Sequence, residues 1–121
     1  MQLPIQHVYE KSTAEFTATV QDENGTAIGS GSLTTLTLTL FDKLTNSIIN
    51  SRNDQNVLNA NGVTVSAQGA LVWTMDPLDN QILNAELKNE KHVAMFKWTW
   101  SAGAKAGFYL FLIEVENTRT T

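Results

Sequence analysis

Between Thr35 and Leu40, threonine and leucine alternate without exception. That strict period of two constrains the chain more than any other feature. Successive side chains of an extended strand project to opposite faces, so Leu36, Leu38 and Leu40 share one face and Thr35, Thr37 and Thr39 the other. A helix would scatter the same leucines around its circumference, so Leu33 to Phe41 reads as a strand with one face set in a core. The parity recurs where the aromatic residues concentrate. From His92 to Trp100, Ala94, Phe96, Trp98 and Trp100 fall on one face, with Val93, Met95, Lys97 and Thr99 on the other. From Phe108 to Val115 both faces are apolar, with Tyr109, Phe111, Ile113 and Val115 on one and Phe108, Leu110 and Leu112 on the other. Gly103 and Gly107 supply permissive backbone at the bend between them, so the two runs form a long hairpin. A strand apolar on both sides needs cover on both sides, from its own domain or from another molecule.

The rest of the chain is punctuated in the same manner. A strand is expected from Glu15 to Val20, with Phe16, Ala18 and Val20 inward, followed by a turn at Asp22-Glu23-Asn24-Gly25. After the turn at Asp42–Asn46 the chain is expected to return as a strand over Ser47–Ser51, centred on Ile48 and Ile49. Val57-Leu58-Asn59 reads as a brief edge strand, Asn61-Gly62 as a turn, and Val63–Val65 and Ala70–Met75 as two further strands. Pro77 stops the last of these, and Leu78–Lys88 is the one stretch where one or two turns of helix are expected, from the spacing of Ile82, Leu83 and Leu87. The fold class is therefore all-β: an immunoglobulin-like antiparallel β-sandwich of seven to eight strands. Residues 1–14 read as an extended arm, 15–117 as the sandwich and 118–121 as a short tail. The arm carries Leu3, Ile5 and Val8 with no period that would bury them locally. It is either a frayed terminus or a segment ordered by docking on a partner.

Composition narrows the function classes. At 121 residues and 42% hydrophobic content the chain can bury a core without a disulfide or a metal, and it has no cysteine. The net charge of -4, with lysines and arginines scattered singly, argues against a nucleic-acid binder. No run approaches the roughly 18 apolar residues of a membrane helix, and the start resembles no secretory signal, so the chain is read as complete and unprocessed.

Residues fit for catalysis are sparse. Only His7 and His92 could serve as a base, and no nucleophile elbow accompanies either. Asp22, Glu23 and Asn24, then Asn53, Asp54 and Asn56, then Asp76, Asp79 and Asn80 form oxygen-rich clusters without the spacing of a calcium loop, and turns favour these residue types anyway. No pair of carboxylates suggests a glycosidase. The expectation is a non-enzymatic protein with no catalytic residue, no metal and no cofactor. Among the tryptophans, Trp73 and Trp98 fall in alternating strands as core, while Trp100 beside the bend is the candidate for a ligand platform.

Phe16-Thr-Ala-Thr-Val-Gln-Asp-Glu-Asn-Gly-Thr-Ala-Ile followed by Leu33-Thr-Thr-Leu-Thr-Leu-Thr-Leu resembles the first two strands of bacterial immunoglobulin-like domains. Leu38-Thr-Leu-Phe-Asp-Lys-Leu-Thr-Asn-Ser-Ile-Ile-Asn and His92-Val-Ala-Met-Phe-Lys-Trp-Thr-Trp are similar to small immunoglobulin-like structural proteins of tailed bacteriophages. The resemblance spans roughly Phe16 to Val115, without the cysteine pair of antibody domains. It implies a virion protein assembled in the host cytoplasm: a capsid decoration or cement protein, or a head-tail accessory. Implied partners are a major capsid, connector or tail protein and further copies of the chain, with neither nucleic acid nor membrane. The alternative is an adhesion module that binds carbohydrate or another surface. The residues expected to contact a neighbouring subunit or a capsid or tail protein are Leu3, Ile5 and Val8 of the arm, Phe108, Leu110 and Leu112 on the second face of the last strand, and the row Thr35, Thr37 and Thr39. The alternation also assigns Leu36, Leu38, Leu40, Trp73, Phe96, Trp98, Phe111 and Ile113 to the core. Leu38→Ala should accordingly cost about 2–5 kcal/mol, read as a shift in the urea midpoint. An unshifted midpoint would remove Leu38 from the core.

Overall fold

The protein is described by a computed structural model covering residues 5–84, 86 and 88–117. Its strands, in chain order, are β1 (Ile5–Tyr9), β2 (Ala14–Thr19), β3 (Leu33–Asp42), β4 (Gln55–Asn56), β5 (Val63–Val65), β6 (Ala70–Met75), β7 (Asn89–Trp100) and β8 (Lys105–Glu116). They form two sheets, one of order β1-β8-β7-β3-β4 and one of order β2-β6-β5. The two layers make a sandwich with the strand partition of an immunoglobulin-like domain, in which the long final hairpin and β3 lie in one sheet and β2, β5 and β6 in the other. The eight core residues expected from alternation are all buried between the layers. In the larger sheet the inner row runs Leu36 opposite Trp98, Leu38 opposite Phe96 and Leu40 opposite Ala94. It continues with Ala94 opposite Phe111 and Phe96 opposite Tyr109.

Four rings join the layers. Trp73 of β6 meets Phe16 of β2 edge-on at 5.7 Å and Phe96 of β7 at 5.4 Å, while Phe111 of β8 stacks on Phe16 at 5.6 Å. Burying side chains of this size contributes about 1.5–3 kcal/mol each, and each ring pair about 0.5–1.5 kcal/mol beyond its area. At the hairpin end, Trp98 lies over Gly107 so closely that a β-carbon there would come within 2.8 Å of the indole nitrogen. The indole N–H donates to the Gln21 carbonyl at 3.2 Å and ties the loop after β2 to the larger sheet.

The structure departs from the alternation pattern in several places, each for a local reason. Within the expected arm, Ile5–Tyr9 is a strand, paired in parallel with β8 from Ile5 opposite Leu112 to Tyr9 opposite Glu116. The antiparallel pattern thus has one parallel exception, and Val8 is buried in the core, not offered to a partner. Five residues pairing with an open strand edge need no period of their own, so the sequence carries no sign of this. Ser47–Ser51 is not a strand. Ile48 makes a single bridge to Phe41, and then Asn50 and Ser51 adopt positive φ of 55° and 57°, which turns the chain away and tucks Ile49 inward. The brief edge strand lies at Gln55–Asn56, just before Val57, whose side chain is fully buried. Among the described residues of the stretch expected to be helical, Leu78–Lys88, there is one 3₁₀ turn, over Pro77–Asn80. The amides of Leu83 and Asn84 donate to the Glu90 carboxylate at 2.9 and 3.0 Å, which holds them out of any helical ladder. Leu87 lies outside the described residues.

Deleting residues 1–9 exposes the edge of β8 and removes Val8 from the core. The loss expected from one buried valine and a short ladder is ~2 kcal/mol or more, measured by urea denaturation. An unchanged midpoint would return the segment to the status of a docking arm.

Candidate interaction surface

The larger sheet has an outer face that the smaller sheet does not reach. Because β7 and β8 pair residue for residue, Val93 stands opposite Leu112, Met95 opposite Leu110 and Lys97 opposite Phe108. On the other side of β7, Phe41 faces Val93, Thr39 faces Met95, Thr37 faces Lys97 and Thr35 faces Thr99. The sequence-derived contact residues Phe108, Leu110, Leu112, Thr35, Thr37 and Thr39 therefore do come together on one surface. Register adds Val93, Met95 and Phe41. The parity of Val93 and Met95 was already visible in the sequence, but not the strand they would lie beside.

This surface has parts of different character. In its middle Phe41, Val93, Met95, Leu110 and Leu112 lie side by side, bordered toward Glu116 by Lys91 and Glu114. Val93 is only 9% exposed and lies outside the core cluster. Toward the hairpin tip the surface is polar and dips into an open concavity of about 450 Å³, with Phe108 on one side and Asp54 on the other. Phe108 is 65% exposed, whereas Leu110 and Leu112 are half-buried. Thr35 and Thr99 share a hydroxyl-hydroxyl hydrogen bond of 2.7 Å, and the Lys97 ammonium lies 3.3 Å from the Asp54 carboxylate.

Other expected contact residues fall elsewhere. Thr39 is on the outer face but buried, its hydroxyl donating to Asp54 Oδ1 at 3.3 Å and accepting from the Asp54 amide at 3.0 Å. It positions Asp54 and is not free for a partner. Leu3 lies outside the described residues, and Ile5 pairs through its backbone with β8. Trp100 is half-buried and packed against the core, so the open aromatic at this end is Phe108, not Trp100.

Two buried polar pairs lie at the end of the sandwich away from the hairpin tip. Arg52 is 3% exposed; its Nε and Nη2 donate to Asp79 at 2.6 and 3.1 Å, and its Nη1 donates to Gln55 Oε1 and the Asn61 carbonyl. Its guanidinium carbon lies 6.0 Å from the centre of the Trp73 ring. Glu90 and His92, both fully buried, meet at 2.6 Å, so His92 fastens a loop and is not a surface base. His7 lies 3.0 Å from Glu114 at the surface. On the rim near the hairpin, the hydrogen bond from Lys105 at 2.9 Å holds the Glu23 carboxyl below the ordinary glutamate range. Among the described residues no group of three or more acids and histidines is arranged to hold a metal.

Comparison with protein-family models, with curated proteins and with solved structures gives no match to this chain.

The Arg52–Asp79 pair generates a direct test of the end-closing role. Asp79→Ala leaves a buried guanidinium without its main acceptor and is expected to cost about 3–5 kcal/mol by denaturant unfolding. Replacing Arg52 and Asp79 together with methionine and leucine should cost much less. A double-variant loss equal to the sum of the losses of the two single variants would mean that the pair is not coupled.

Proposed function

We propose that the protein is a non-enzymatic structural subunit that works by protein-protein contact across the outer face of its larger sheet. The setting proposed is the one that the phage resemblance implies: a tailed-phage particle with the chain present in many copies, as capsid decoration or cement or as a head-tail accessory. The observation that carries the contact reading is the apolar area of Phe41, Val93, Met95, Leu110 and Leu112. Each lies on a sheet face over which no second layer packs among the described residues. The N-terminal strand extends the edge of this sheet, and the 3₁₀ turn after Pro77 packs against β6 of the other sheet, so neither lies across that area. Apolar residues on a sheet face that no second layer covers mark interaction sites in soluble proteins. The place in the particle rests on the resemblance.

The double variant Leu110→Ser and Leu112→Ser tests the contact. Both side chains are half-buried on the outer face, so the melting temperature should stay within a few degrees, while self-association or binding to the particle is lost. Sedimentation and particle-binding assays read the loss. A large fall in melting temperature, with binding retained by the folded fraction, would overturn the proposal.

A further inference from the structure

The polar end of the outer face has a composition that a protein-protein contact does not require. Two rows cross the sheet there. Thr37, Lys97 and Phe108 are neighbours on β3, β7 and β8, and the next row toward the hairpin tip is Thr35, Thr99 and Ala106. Short side chains in the second row beside long ones in the first make the dip. Its volume of about 450 Å³ lies within the range of small-molecule sites, roughly 300–1,000 Å³.

The groups around this dip are unusual in combination. Phe108 stands mostly exposed on one side and presents an apolar face. Asp54 stands on the other, in the left-handed region at φ 48°, with its backbone amide and carboxylate both hydrogen-bonded to Thr39. The two bonds to Thr39 fix Asp54 in place. Lys97 lies between them and pairs with Asp54 while its side chain stays 48% exposed. The ammonium and carboxylate offset each other, which disfavours a charged ligand. They leave a donor and an acceptor side by side, flanked by the Thr35, Thr37 and Thr99 hydroxyls. A ligand that satisfies all of this is neutral, carries adjacent hydroxyls and has one apolar face.

We propose that this concavity binds the pyranose ring of a neutral glycan, with the C–H face of the sugar on Phe108 and vicinal hydroxyls shared between Asp54 and Lys97. Charge-assisted hydrogen bonds to a carboxylate and an ammonium supply orientation, and the aromatic face supplies the apolar contact. The site adjoins the apolar area assigned to protein contact on its hairpin-tip side, and it stands or falls independently of that assignment.

The test is a titration of the full-length, ¹⁵N-labelled protein with the methyl pyranosides of glucose, galactose, mannose and N-acetylglucosamine, read by amide chemical shifts. At least one sugar is expected to give saturable shifts at Thr37, Lys97, Thr99 and Phe108, with a Kd on the order of 1 mM. Phe108→Ala and Asp54→Asn should each weaken binding about tenfold or more while the remaining amides keep their positions; asparagine tolerates the left-handed backbone at residue 54. Three results would overturn the proposal: no saturable shift with any of the sugars, shifts that survive Phe108→Ala, or a response of these amides to inorganic phosphate or acetate and to none of the sugars.

Discussion

Without a cysteine, nothing covalent joins the two sheets, and the contact of Phe16 and Trp73 with Phe96 and Phe111 takes that part. Flat sheets joined by aliphatic side chains alone can be offset by a residue pair with little change in buried area. Rings meeting edge to face resist this, because sliding one sheet drives an edge into a neighbouring ring. The leucines of β3 extend the same layer on one side, and Ile113 and Val115 extend it on the other. The outer face can be flat and partly apolar because the inner face already holds the layers in register.

Two buried polar clasps act at the margins of that core. Arg52 reaches from the loop before β4 to Asp79 in the 3₁₀ turn after β6, and so links a connection of the larger sheet to one of the smaller. Glu90 and His92 on β7 hold the segment at Leu83 and Asn84. Buried ion pairs add little net stability against apolar replacements, but removing one member is costly. Their effect here is to dictate where irregular connections run. Beside the Arg52 clasp the neighbouring strand crowds the backbone: at Gly62, φ is 90° and a β-carbon would stand 2.8 Å from the Thr74 carbonyl oxygen.

What could be read from the sequence follows the range of each interaction. Alternation depends only on neighbouring residues, so the inward sets of β3, β6, β7 and β8 were legible, as was the surplus apolar face of Leu110 and Leu112. Pairing between distant strands has no local signature. The parallel docking of Ile5–Tyr9 on β8, and with it the burial of Val8, was therefore not legible. Nor was the Arg52–Asp79 pair, since an arginine and an aspartate in two polar loops look like ordinary surface charge. Ile48 and Ile49 suggested a strand because β-branched residues favour one; the left-handed pair Asn50–Ser51 overrode that preference. Of the surface, Phe108 and the Thr35–Thr37 row could be seen as exposed candidates. That Asp54 and Lys97 would join them depended on register and on a bend in a loop.

The parallel strand at the edge determines how the domain carries load. The chain enters β1 beside Leu112 and leaves β8 at Glu116, so tension applied between the two ends runs along both strands in opposite directions. Every hydrogen bond of that ladder is then stressed at once, whereas an antiparallel terminal hairpin pulled from its open end parts one rung at a time. A sandwich built in this way holds the start of β1 and the end of β8 in shear when they are pulled apart.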